Sequence, residues 1–173
     1  MTQSNFQPSH ETVSHDHVRM PLSTENASGP ARLSFSDMLR SEDVCRSLLE
    51  KARWPDGPLC PNCGAAGAAS KLTTRSGFWT CRACRNCQFS VTSGTQLHRT
   101  RIPISAWVRL FHLTQILGHS FNPPQVSRRF GVAYLTAESM LKRVEALKHE
   151  MPEMAERLEA SLRELASDAA ARG

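Results

Sequence analysis

Two cysteine knuckles decide the fold: Cys60-Pro61-Asn62-Cys63-Gly64 and Cys81-Arg82-Ala83-Cys84. Seventeen residues, 64 to 80, separate the cysteines of the first knuckle from those of the second, a spacing typical of a four-cysteine zinc site. Two residues between thiolates allow both sulfurs of one turn to reach the same ion, and four thiolates leave no open coordination position. The sequence therefore predicts a structural, non-catalytic Zn²⁺. Its predicted ligands are Cys60, Cys63, Cys81 and Cys84.

Two alternatives to this ligand set remain open. A thioredoxin-like redox pair would place one knuckle at a helix N-terminus in a βαβ unit, a pattern that this sequence does not show. In addition, Cys84-Arg85-Asn86-Cys87 is a further C-x₂-C, so Cys87 could replace Cys81 or Cys84 as a ligand. The length of the loop between the knuckles favours Cys81 and Cys84, which leaves Cys87 as a spare thiol.

The residues around the knuckles predict short strands and little core. Residues 77–80 and 88–92 favour β-structure, but pieces of this length cannot bury a core on their own. Zinc binding is worth on the order of 10 kcal/mol in small zinc modules. We therefore expect the metal to supply stability that the apolar residues of this region cannot.

The segment before the knuckles predicts one helix. Apolar residues at helical spacing and acidic residues in the first turn indicate a helix from Ser41 to about Ala52, which a turn over residues 54–58 ends. Cys45 lies on the apolar side of this helix and is predicted to be a small buried hydrophobic residue.

Beyond Pro103 the apolar residues recur at helical spacing and predict several helices. The first has Ser105 as its expected N-cap. The second begins at Asn122-Pro123-Pro124 and stops at Gly131, and the third starts near Tyr134. Together the second and third have the register of a helix-turn-helix, although a plain helical hairpin shares this pattern.

Pro152 separates these helices from a last amphipathic helix. Its leucine stripe is either an oligomerisation seam or the face that packs back on the preceding helices, and we expect the second arrangement. The stripe contains Leu158, Leu162 and Leu165.

We thus predict an α+β chain with a small zinc ribbon, a helix before it, and a helix-turn-helix and an amphipathic helix after it. A disordered tail is predicted for residues 1–32, in which His10, His15 and His17 are more simply solvated than metal-binding. The further segments are residues 33–98 for the N-terminal helix and ribbon, 99–148 for the helix-turn-helix unit and 149–173 for the C-terminal helix.

The charge distribution indicates a polyanionic partner. Residues 57–137 contain nine Arg and Lys residues and no Asp or Glu, within a chain of net charge +5. This segment cannot supply the acidic metal ligands of a nuclease or the acid pair of a glycosidase. Six cysteines without an export signal favour a reducing compartment, and no apolar run is long enough to span a membrane.

The exposed polar and basic positions of the helix-turn-helix are the predicted DNA contacts, because such side chains bind phosphates and base edges in the major groove. They are Arg128, Arg129, Tyr134, Thr136, Ser139, Lys142 and Arg143.

Several short motifs in order resemble the transposase zinc-ribbon region of a group of bacterial insertion-sequence transposases. The resemblance covers roughly residues 33–148, and Asn86-Cys87 departs from it as a local insertion. The motifs are Arg53–Gly64, Trp79–Cys84, Gln88–Thr95, Thr100–Ile104, Trp107 and Phe130-Gly131-Val132.

The resemblance implies a DNA-binding protein derived from such a transposase. Family members continue into an RNase H-like catalytic domain, whereas only about 25 residues follow the predicted helix-turn-helix here, so we expect no enzymatic activity. Expected partners are double-stranded DNA, with terminal inverted repeats as candidate sites, a second copy of the chain, or an intact transposase. The expected location is the bacterial cytoplasm, at the nucleoid.

Two other functions fit the sequence less well. One is a protein-interaction adaptor that uses the ribbon and the last helix. The other is RNA or single-strand binding, with Phe78 and Trp79 as rings on which bases stack.

Overall fold

The computed structural model describes residues 33–85 and 87–171, and the predictions for residues 1–32 lie outside the described residues. The described part combines helices with a small antiparallel sheet, so the α+β prediction is confirmed.

Two helices precede the sheet: α1 spans Phe35–Met38 and α2 spans Glu42–Arg53. The Ser41 hydroxyl caps α2 by accepting a hydrogen bond from the Val44 N–H at 3.4 Å. The predicted helix is therefore confirmed to within a residue at each end, whereas the single turn of α1 was not predicted. Cys45 is fully buried on α2, as expected.

Three short strands form the sheet: β1 spans Ala69–Lys71, β2 Phe78–Cys81 and β3 Cys87–Ser90. They are antiparallel in the order β1-β2-β3, and the register pairs Cys81 with Cys87. Both predicted strands are present, and β1 is an addition to them.

The sheet meets α2 through an aromatic cluster. Trp54, which follows α2, packs edge to face on Trp79 and Phe89, with ring centroids 6.1 and 5.8 Å away. Arg53 also donates a hydrogen bond to the Val91 carbonyl at 2.6 Å. These contacts attach the ribbon to the end of α2.

Helix α3 spans Ile104–Phe111 and continues into a π-helical turn, His112–Ile116. The expectation that Ser105 caps this helix is wrong, because α3 already starts at Ile104, with Pro103 at the N-cap position, and its first amides have a distant partner. The carboxylate of Glu42 on α2 accepts hydrogen bonds from the N–H groups of Ile104 at 2.8 Å and Ser105 at 3.0 Å. A tertiary contact thus replaces the local cap.

Helices α4, Pro123–Phe130, and α5, Tyr134–Glu150, start and stop where the sequence predicts. A reciprocal pair of hydrogen bonds between Asn122 and Gln125 caps α4. Gly131 ends it at φ +66°, a left-handed conformation that favours glycine. The Ser127 hydroxyl then donates a 2.6 Å hydrogen bond to the Val132 carbonyl, which fixes the turn into α5.

Helix α6, Pro152–Ala171, packs on α2 and α5. Leu158 and Leu162 are buried in the same core as the apolar faces of the other helices, and Leu165 packs partly buried against it. Arg157 donates a 2.7 Å hydrogen bond to the Ala52 carbonyl, so a polar contact also joins α6 to α2. The leucine stripe is therefore covered by its own chain, the arrangement expected above.

Within the described ranges, no helix is both long enough and apolar enough to cross a membrane.

Candidate metal centre and nucleic-acid interface

Four thiols converge at one end of the sheet. Their sulfurs all lie within 4.8 Å of one another. Cys60 and Cys84 are separated by 3.5 Å, and Cys63 and Cys81 by 3.7 Å. A tetrahedron of sulfurs about 2.3 Å from zinc has edges of about 3.8 Å, so the cluster has the size that zinc requires. The structure thus brings together the four cysteines that the spacing singled out.

Two tight turns aim these sulfurs at one point. In the first knuckle, the Gly64 N–H donates to the Cys60 carbonyl at 2.8 Å, and Gly64 has φ +69°. The second knuckle leaves β2 at Cys81, and the Arg82 N–H donates to the Ala68 carbonyl at 3.0 Å, next to β1. The hairpin therefore positions the second pair of thiols against the first.

The pKa values of Cys60 and Cys63 are shifted in opposite directions. Although burial opposes it, hydrogen bonds from the backbone N–H groups of Asn62 and Cys63 lower the pKa of Cys60 to about 6. A backbone hydrogen bond from Ala65 stabilises the Cys63 thiolate, but burial and the neighbouring sulfurs outweigh it and raise the pKa of Cys63 to about 12. Close thiolates repel one another, and a divalent cation among them removes that repulsion.

Cys87 lies beside this cluster without belonging to it. It pairs with Cys81 across the sheet, and it is not among the sulfurs that lie within mutual ligand distance. Burial, and then the charges of Cys84 and Cys60, raise the pKa of the Cys87 thiol. These observations favour the spare-thiol interpretation of Cys87.

The predicted DNA contacts lie on α4 and α5, with different degrees of exposure. Arg128 and Arg129 are exposed in the last turn of α4, and Tyr134 is 54% exposed at the start of α5. Thr136 and Ser139 are half-buried.

The two basic residues of α5 have partners within the chain. Lys142 forms a 2.7 Å ion pair with Glu138 one turn earlier. Arg143 donates hydrogen bonds to the carbonyls of Gln96 at 3.2 Å and His98 at 3.4 Å, which anchors the chain after the ribbon to α5. Arg143 therefore has a structural role, and its contact with DNA stays a prediction.

Sequence reasoning missed two features of this surface. Leu135 is 75% exposed on α5, on the same surface as Ser139 and Lys142, but it was not among the predicted contacts. Arg40 and Arg109 line the same cleft as Arg129. Partial burial, and then the charges of Arg40 and Arg129, lower the pKa of Arg109. Residues so far apart in sequence carry no local signal of their proximity.

Residues 40–87 match the family model of the transposase zinc-ribbon domain (IS1595), which confirms the resemblance over that region. No curated protein and no solved structure matches the chain. The match indicates a zinc-binding protein derived from a transposase, with nucleic acid as the general class of partner. The four clustered cysteines can hold a metal ion, and the zinc-ribbon family implies that this ion is structural zinc.

Proposed function

We propose that this chain is a zinc-ribbon, helix-turn-helix protein that binds double-stranded DNA, is derived from an insertion-sequence transposase, and has no catalytic activity of its own. The observation that carries the proposal is the geometry of α4 and α5. A short capped helix, a left-handed glycine and a longer helix with an exposed first turn follow one another in the order that a helix-turn-helix requires.

The exposed side chains of this unit suit the two parts of DNA recognition. Helix α4 contains no acidic residue, so its own sequence leaves Arg128 and Arg129 without a neutralising partner, and their role is to bind phosphates. Tyr134, Thr136 and Ser139 are on the first turns of α5, which in this motif enter the major groove and reach base edges. Phosphate contacts then set affinity, and base contacts set the choice of site.

The zinc would hold the ribbon as a rigid body rather than take part in chemistry. Its proposed ligands are the clustered thiols of Cys60, Cys63, Cys81 and Cys84. With four sulfur ligands no position remains for water, so this site cannot activate a nucleophile. Its contribution is to fix the basic ribbon beside α2.

Single-strand or RNA binding by stacking has less support. Trp79 donates from its ring N–H to the Glu50 carboxylate at 3.2 Å, packs against Trp54, and has the Lys71 ammonium 5.1 Å from its ring centroid. The Phe78 ring has the Arg75 guanidinium 3.5 Å from its centroid. Both rings are engaged within the chain, where a stacking platform needs a free face.

Salt-dependent gel shifts on duplex DNA, single-stranded DNA and RNA test the proposal. We expect the zinc-loaded full chain to prefer duplex DNA, with an affinity that falls steeply as salt increases. Arg128→Gln should weaken binding to all duplexes and reduce the salt slope by about 0.9 unit, the loss of one phosphate contact.

The matched control is Arg163→Gln, because Arg163 is an exposed arginine on α6 that pairs with Glu159. It should leave affinity and slope unchanged. Equal binding to duplex, single strand and RNA, or a loss with Arg163→Gln as large as with Arg128→Gln, would contradict specific binding through α4 and α5.

A further inference from the structure

A cleft of about 210 Å³ lies between α1, α3 and α4. Its apolar wall includes Phe35, whose ring meets that of His112 edge to face with centroids 5.1 Å apart. Three arginines from distant parts of the sequence also line it, and we call it the arginine cleft. They are Arg40, Arg109 and Arg129.

Positive charge converges in the arginine cleft. Partial burial, and then the charges of Arg40 and Arg129, lower the pKa of Arg109, so the guanidinium groups are close enough to repel one another. Of the described residues that line the cleft, none is acidic. Asp37 binds Arg40 at 3.2 Å but is not part of the lining. An anion in the cleft would therefore meet concentrated positive charge and relieve the repulsion.

Two of the arginines are held in place by their own neighbours. The Arg109 guanidinium lies 5.2 Å from the centroid of the Phe130 ring, and Arg40 is held by its ion pair with Asp37. A side chain that is already fixed loses less conformational entropy when it binds a ligand. The π-helical turn that begins at His112 forms another part of the lining, and such turns are frequent at functional sites.

The chemistry of the arginine cleft fits a phosphate group. Each planar guanidinium presents several N–H donors that match two phosphate oxygens at once, and it remains charged at any physiological pH. The cleft is continuous with the proposed DNA surface, because Arg129 belongs to α4. In a helix-turn-helix protein the first helix crosses the DNA backbone, which places a phosphate next to it.

We propose that the arginine cleft binds one backbone phosphate of the DNA duplex that α5 reads, so that Arg40 and Arg109 extend the interface from α4 to the turn after α1 and to α3. This inference rests on the proposed function. It adds two residues, distant in sequence from the helix-turn-helix, to the phosphate contacts of the protein.

The test compares Arg40→Gln, Arg109→Gln and Arg109→Lys with the wild-type full chain in its zinc-loaded form. Binding to a short mixed-sequence duplex is measured by fluorescence anisotropy over a range of salt concentrations. We expect each glutamine variant to bind all duplexes several-fold more weakly and to reduce the salt slope by at most about 0.9 unit, the full contribution of the one phosphate that the three arginines share. Arg109→Lys should retain the slope but not the full affinity, because lysine keeps the charge without the bidentate geometry.

Two controls show that a change in binding does not come from unfolding or from the loss of any exposed arginine. The Arg40 side chain is 68% exposed, so Arg40→Gln should leave the thermal midpoint unchanged. Arg163→Gln, on α6, is the matched loss of an exposed arginine and should change neither affinity nor slope. A slope unchanged in both Arg40→Gln and Arg109→Gln overturns the arginine cleft while duplex binding by the wild type still stands.

A titration with inorganic phosphate, followed by thermal shift, separates this inference from the proposed function. Stabilisation of the wild type but not of Arg109→Gln, together with the altered salt slopes, supports the assignment to the DNA backbone. Stabilisation by inorganic phosphate with unchanged slopes overturns that assignment and identifies a site for free phosphate. Failure of the wild type to bind any duplex refutes the proposed function itself, and the backbone assignment with it.

Discussion

The ribbon and the helical part of this protein are stabilised in different ways. In the ribbon, the strands have three or four residues each, and the buried side chains include two of the clustered cysteines, Cys60 and Cys81. The ribbon also buries Phe89 and Val91, but most of the large apolar side chains that are almost completely inaccessible lie on the helices. Among these are Leu49, Leu110, Met140, Leu147, Leu158 and Leu162.

This difference means that one chain combines two sources of stability. Apolar burial contributes roughly 25 cal/mol for each Å² removed from water, and it increases with the length of the packed helices. A ribbon of short strands has little such area, so the metal must replace it. The two parts are nevertheless joined, because Trp54 packs on Phe89 and Arg53 binds the Val91 carbonyl. Damage to one part should therefore reach the other through α2 and through the contacts of Arg143 on α5 with the Gln96 and His98 carbonyls.

Removal of the metal should separate the two parts most clearly. Cys63→Ser, or chelation of the wild type, should abolish zinc binding and cost the ribbon on the order of 10 kcal/mol. Hydrogen exchange should then become fast in β1–β3 and stay slow in α5 and α6, and metal analysis should fall from one zinc per chain to none.

Cys87→Ser provides the control for that experiment, because Cys87 lies beside the cluster but outside it. Its zinc content should equal that of the wild type. Loss of zinc in Cys87→Ser would show that the ligand set is wrong. Complete unfolding of α5 and α6 on chelation would show that the apolar core of the helices is not stable without the metal.

A cavity in the helical core should lower the stability of the helical part and leave the zinc site of the ribbon intact. Leu162 is fully buried on α6, and Leu162→Ala should lower the free energy of unfolding by about 2–5 kcal/mol without loss of zinc. Leu165→Ala, at a half-buried position on the same stripe, should cost less. Denaturant titration measures both changes, and light scattering should give the same molar mass for both variants as for the wild type. A lower molar mass with unchanged stability would identify the stripe as an intermolecular seam.

The choice of DNA site should depend on the helical part, and the ribbon should contribute affinity alone. Ser139→Ala or Thr136→Val should reduce discrimination between a preferred and an unrelated duplex by about 1–3 kcal/mol. Arg82→Gln, at an exposed position of the ribbon, should weaken binding to both duplexes equally. Competition binding with the two duplexes distinguishes these effects. If Arg82→Gln changed the preference, the ribbon would also read sequence.

The smallest effect should come from the contact that caps α3. Burial raises the pKa of Glu42, but the N–H groups of Ser105 and Ile104 outweigh it and hold that pKa below its ordinary value of 4.5. The contribution of this carboxylate to stability is therefore present above its unfolded pKa and is lost as the pH falls through its lower, folded pKa.

Glu42→Ala should cost about 0.5–2 kcal/mol at neutral pH, the usual range for loss of a helix cap. Asp43→Ala is the matched control, because Asp43 also lies in the first turn of α2 and also pairs with Arg46. Chemical denaturation at neutral and acidic pH should show a difference between the variants that shrinks in acid. Equal costs at neutral pH would mean that the contact with α3 contributes nothing.

The features that could be predicted are those with a local physical cause. The knuckles constrain their sulfurs within a few residues, and Asn122 and Gly131 set the ends of α4 through bonds to their own neighbours. The sequence did not reveal β1, because Ala69, Ser70 and Lys71 have little β-propensity and pair only when β2 lies beside them. For the same reason the sequence predicted Ser105 as the N-cap of α3. The Glu42 carboxylate, which is distant in sequence, accepts the hydrogen bonds of the first amides instead.

The amino-acid sequence by itself determined the zinc-ribbon spacing, the order of the main helices and the basic segment without carboxylates, because each of these depends on residue type and short separations along the chain. The tertiary structure alone decided that α6 covers its own leucine stripe and that Arg40, Arg109 and Arg129 line one cleft. Which distant residues meet depends on how all the apolar faces pack at once, and no local pattern encodes that outcome.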